Sequence, residues 1–82
     1  MNLNIKNHNP VYKSDLLEYI GKEIIILTHT SSKLEGSEFV WYKVPQKVKL
    51  LEYHHLENTI KIEKDGKLNK VSLDAIDEIY TL

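Results

Sequence analysis

The chain has 82 residues, 41% of them hydrophobic and 28% charged. That length holds one domain with one thin core, and that composition excludes wholesale disorder. Eleven basic and twelve acidic residues leave a net charge of −1, so no field of one sign steers a polyanion toward the surface.

Every basic residue is a lysine. Lysine neutralises phosphate as a point charge, but it lacks the planar fork that reads guanine edges. Cysteine is absent, which excludes disulfides, thiolate catalysis and cysteine-ligated zinc.

Residues 1–12 read as a polar lead, either an edge strand in which Leu3 and Ile5 alternate or a frayed segment. The lead has no apolar stretch like that of a signal peptide. Apolar runs such as Ile24–Leu27 and Phe39–Tyr42 are far shorter than a membrane span. The expected location is the cytoplasm, with no membrane contact. Residues 13–82 read as a single small β-barrel domain.

Residues 14–21, SDLLEYIG, predict a short helix. Ser14 or Asp15 can cap it, Asp15 and Glu18 have the N-cap to N3 spacing, and Gly21 suits a left-handed stop. At α-helical spacing Leu16, Leu17 and Ile20 share one face. So short a helix needs packing, and a plug on an open barrel end supplies it.

Residues 22–29, KEIIILTH, predict a strand that is apolar on both parities, hence buried on both faces. Residues 30–37 read as a loop with no phosphate-cradling glycine pattern. Residues 38–44, EFVWYKV, predict a second strand that Pro45 ends or bends. Residues 47–53 shift parity at Leu51, which predicts a bulge.

Asp65-Gly66 is the dipeptide of a two-residue type I′ hairpin turn. That register sets Lys64 opposite Lys67, Ile62 opposite Asn69 and Ile60 opposite Val71. Ile60, Ile62, Val71 and Leu73 then share an inner face, while Leu68 lands on the polar one. Residues 73–76, LDAI, predict a tight turn before a last short strand. The expected fold class is all-β: a small five-stranded, strongly bent barrel with a short N-terminal helix.

Candidate chemistry is sparse. His54 and His55 are adjacent, so on a strand they point to opposite faces. No histidine pair has the spacing of a zinc motif, and no metal or cofactor is expected. Asp74, Asp77 and Glu78 cluster where capping and solvation explain them. No strained nucleophile elbow is present, and so short a barrel has little room for an enclosed pocket. The expectation is a protein that is not an enzyme.

The densest contact chemistry lies at Phe39, Trp41, Tyr42, Lys43, Lys47, Lys49 and Tyr53. Aromatics of this kind anchor protein interfaces, and the leading expectation is a module that binds a protein partner. The same residues suit the alternative, a single-stranded nucleic-acid binder that stacks bases beside a basic groove. A strand edge also offers a route to a homo-oligomer.

The element order resembles an Sm-like (SH3-like) small barrel, with a short helix leading into YIGKEIIIL and KVSLDAIDEI closing the chain. That resemblance implies RNA binding. The stretch VKLLEYHHLENTIKIEKDGKLNKVSLDAIDEI is similar to the tail of YolD-like proteins, which implies an accessory protein of bacteria or phages. The lead NPVYKSDLLEYIGKEIIIL, with Leu73, Asp74 and Ile76 in the closing segment, resembles Rof-type Rho-binding antiterminators. It implies a regulatory or inhibitory protein that presents acidic surface near its helix, at Asp15 and Glu18.

Overall fold

The computed structural model describes residues 7–33 and 39–82, and their side chains except at 30–33 and 39–42. Five strands form one antiparallel sheet: β1 (Glu23–Lys33), β2 (Phe39–His54), β3 (Thr59–Lys64), β4 (Lys67–Ser72) and β5 (Ile76–Thr81). Their order is β4-β3-β2-β1-β5. The class is all-β, as the alternating runs predict.

The hairpin between β3 and β4 has the expected register, from Lys64 opposite Lys67 to Ile60 opposite Val71. Asp65 and Gly66 both take positive φ, 53° and 78°, as a type I′ turn demands. A Cβ at Gly66 would meet nothing within 4 Å, so only conformation opposes a side chain there. Gly66→Ala is therefore expected to cost about 1 kcal/mol in equilibrium unfolding. A loss near zero would mean that the turn relaxes to another type.

The small, strongly bent five-stranded barrel expected from the sequence is present as a five-stranded antiparallel sheet that does not close among the described residues. Among the described residues β4 and β5 do not pair, and the reason lies at the outer edge of β5. The N-terminal lead already occupies it: Val11 N–H donates to the Ile79 carbonyl (2.7 Å) and Thr81 N–H to the Asn9 carbonyl (2.8 Å). These outward groups of β5 are thus already taken and not open to β4. The expected edge pairing at Leu3 and Ile5 lies outside the described residues.

Two expected strand ends do not occur. Residues 30–33, read as loop, continue β1. Pro45, expected to end or bend a strand, sits inside a single sixteen-residue β2. Backbone polarity explains why. Both the N–H and C=O of Leu50 bond toward the start of β1, at Lys22 and Gly21. Even-numbered β2 residues therefore turn toward β1, and odd-numbered ones turn away. Pro45 is odd, so the donor it lacks would have faced away from the β1 ladder. The expected parity change does appear, as a register shift between Leu50 and Glu52.

The core gathers Val11, Leu16, Ile24, Ile26, Val48, Leu50, Ile60, Ile62, Leu73, Ile76 and Ile79, with Tyr19, Tyr53 and Val71 packed against it. Ile25 and Leu27, on the other face of β1, are also buried. Both parities of β1 are thus covered, as its composition predicts.

The predicted helix spans Lys13–Tyr19 and is a 3₁₀ helix. No side chain caps it, and Tyr12 holds the N-cap position, so the expected Ser14 or Asp15 cap is corrected. The tighter winding also corrects the buried face. With three residues per turn, positions i and i+3 align. Lys13, Leu16 and Tyr19 form the inner ridge: Leu16 is fully buried, Tyr19 packs on the core, and Lys13 Nζ donates to the Leu73 carbonyl at 3.0 Å. Leu17 and Ile20 turn outward. Gly21 ends the segment with φ 84°, the expected left-handed stop.

Candidate interaction surface

The three candidate lysines sit at odd positions of β2, on the face opposite Val48 and Leu50. Lys43 pairs with Glu78 across β1 (3.0 Å), and Lys47 pairs with Glu23 (3.1 Å). Lys49 stands between Glu23 on β1 and Glu63 on β3 in the two registers. Lys43 and Lys47 are thus ion-paired with carboxylates of other strands, and Lys49 has a glutamate opposite it on each adjacent strand. An open cleft of about 430 Å³ is lined by Lys47, Lys49 and Lys64 together with Glu23, Glu63 and Asp65, so both signs of charge meet there as well.

The Lys43 pair belongs to a small network. Glu78 accepts from Lys43 and from the Tyr80 hydroxyl (2.8 Å). These two bonds, Lys43 first, hold the Glu78 carboxyl below its ordinary value. In return the same carboxylate raises the pKa of Lys43 and of Tyr80. Lys70 likewise lowers Glu57. Such exposed pairs order side chains more than they stabilise the fold.

Of the candidate aromatics, Tyr53 is half-buried against the core, its ring edge-on to His55 at 6.4 Å between centroids. Phe39, Trp41 and Tyr42 lie on β2 opposite Lys33, Ser31 and Thr30. Their side chains are outside the described set, as are Glu35 and Glu38.

The histidines and carboxylates go to separate places. His54 approaches Glu52 at 3.4 Å, and His55 lies in the turn after β2. His29 contacts both carboxylate oxygens of Asp77 at 3.3 Å. Asp74 accepts from the Asn58 amide at 3.1 Å. The cap of the one-turn 3₁₀ helix Leu73–Ala75 is Ser72, whose hydroxyl accepts from the Asp74 N–H. Among the described residues no three of these groups converge to hold a metal ion.

The surface that sequence reasoning missed is the outer ridge of the 3₁₀ helix. Leu17 on the helix is 66% exposed, and Ile20, the extended residue just past its end, is 42% exposed. Asp15 and Glu18 are on the same short segment and form no ion pair among the described residues. The apolar spacing Leu16, Leu17, Ile20 suits an α-helix, and no residue signals the tighter winding. Leu56, at the tip of the turn between β2 and β3, is 90% exposed.

No family model, no curated protein and no solved structure matches this chain.

Proposed function

We propose that the chain is a non-enzymatic interaction module that binds a protein partner, with a regulatory or inhibitory role. The observation that carries this reading is the exposed apolar pair Leu17 and Ile20, flanked by Asp15 and Glu18, which form no ion pair among the described residues. Apolar side chains on a short helix and at its C-terminal end, anchored by buried Leu16, form a small preorganised patch. Its acidic flanks suit a partner surface that combines apolar and basic groups.

The pairing of Lys43 and Lys47 with carboxylates favours a protein over a polyanion, since a phosphate would have to displace Glu78 and Glu23. A 3₁₀ segment, a five-stranded antiparallel sheet and a one-turn helix before the last strand support a likeness to Sm-like barrels. The acidic helix supports the likeness to Rof-type inhibitors.

A pulldown from a lysate of the source cell tests the reading, with wild type compared against Leu17→Ser/Ile20→Ser. Both substitutions are on the exposed ridge, so the fold is expected to persist. A stoichiometric protein that wild type recovers and the double variant loses is the expected result. Recovery of nuclease-sensitive material in place of a protein would favour single-stranded nucleic acid.

A further inference from the structure

The sheet does not extend along the whole of its two longest strands. β5 pairs with β1 only as far as Thr28, and β3 pairs with β2 only from Lys49 onward. From the pair His29–Lys43 to the pair Lys33–Phe39, β1 and β2 therefore run on as a two-stranded ribbon. Among the described residues no third strand flanks it.

Backbone direction identifies which groups the ribbon leaves open. Odd-numbered β2 residues face away from β1, so Phe39, Trp41 and Lys43 each present an N–H and a C=O at an edge that no described strand occupies. Pro45 presents a carbonyl alone. The opposite edge of the ribbon, on β1, carries Ser31 and Lys33, polar residues of the kind that blunt an edge. The β2 edge reads Phe39-Val40-Trp41-Tyr42-Lys43, which has high β propensity and a single charge.

We propose that this edge pairs with the same edge of a second copy of the chain, in antiparallel register about Trp41. The two ribbons then form one four-stranded sheet with both β2 strands inside. This register is self-complementary: Trp41 stands opposite the partner's Trp41, and Phe39 opposite the partner's Lys43. All these positions have an N–H to give, and no lysine meets a lysine. Sliding the register toward Pro45 sets its ring, with no donor, against Phe39 and leaves a carbonyl unpaired. Sliding further sets Lys43 against itself. Two strands alone are marginal in water, and four supply the missing ladder. The pairing is independent of the partner surface proposed above, since Leu17 and Ile20 lie on another element.

Sedimentation velocity from low micromolar to millimolar protein tests the pairing, together with two variants. Lys43→Pro removes an outward donor and leaves the β1–β2 ladder bonded. Lys43→Ala removes only the Glu78 pair. The expected result is a concentration-dependent doubling of mass in wild type and Lys43→Ala, with Lys43→Pro monomeric throughout.

Hydrogen exchange on wild type reads the same edge without any substitution: the amides of Phe39, Trp41 and Lys43 gain protection as concentration rises. A wild type that stays monomeric at millimolar concentration would overturn the proposal. So would a Lys43→Pro variant that dimerises like wild type, a Lys43→Ala variant as monomeric as Lys43→Pro, or protection that appears on β4 instead.

Discussion

Leu16→Ala is expected to destabilise the protein by about 2–5 kcal/mol, the range for emptying a fully buried leucine site. Leu17→Ala, one residue on, is expected to cost under about 0.5 kcal/mol, as an exposed position does. Urea unfolding of the two variants beside wild type measures both. The contrast rests on the winding of Lys13–Tyr19. Three residues per turn align Leu16 with Lys13 and Tyr19, and all three reach inward, to the core or to the Leu73 carbonyl. An α-helical turn would bring Leu16, Leu17 and Ile20 to one face, and the two leucines would then cost similar amounts. Equal losses would therefore refute the 3₁₀ ridge and, with it, the exposed patch on which the protein-partner reading stands. A domain of this kind has about 5–15 kcal/mol in hand, so the Leu16 variant gives up a large share of it.

Much of the fold was legible because side-chain period and turn chemistry are local. Asp65-Gly66 announced its turn, and the register from Lys64–Lys67 back to Ile60–Val71 followed from counting outward. The run Ile24–Leu27 announced a strand covered on both faces, and Leu51 announced the bulge. What was hidden depends on partners distant in sequence. Pro45 breaks a strand only if its missing donor faces a neighbour, and that direction is set by where Leu50 bonds, not by Pro45 itself. The sheet stays open because Asn9 and Val11 reach the edge of β5, some seventy positions away. The winding of the helix is decided by what Leu16 and Tyr19 can touch. The candidate surface was legible in part for the same reason. Lysines could be read, but the carboxylates on other strands that pair with Lys43 and Lys47 could not, and these neutralise much of a basic stripe.

Ile25→Ala is expected to cost about 2–4 kcal/mol, although Ile25 lies on the face of the sheet turned away from the main core. The side chain is fully buried there, and Leu27 beside it nearly so. No second layer of strands or helix covers this face among the described residues. Side chains directly opposite on adjacent strands share this face: Ile25 stands between Lys47 and Tyr80, and Leu27 between Pro45 and Glu78. Lysine stems and a tyrosine ring bury apolar surface while their polar ends stay in water. The pairs Lys47–Glu23, Lys43–Glu78 and Tyr80–Glu78 hold those ends in place. The ion pairs thus act on stability through the isoleucine and leucine beneath them more than through their own attraction. Thermal unfolding separates the two contributions. Lys47→Met keeps a long apolar side chain and loses the charge, so it is expected to leave stability within about 0.5 kcal/mol of wild type. Lys47→Ala uncovers Ile25 and should cost more. If Ile25→Ala unfolds within about 0.5 kcal/mol of wild type, a loss typical of exposed sites, the second face is not a packed surface and the lysines of β2 are free to serve a ligand.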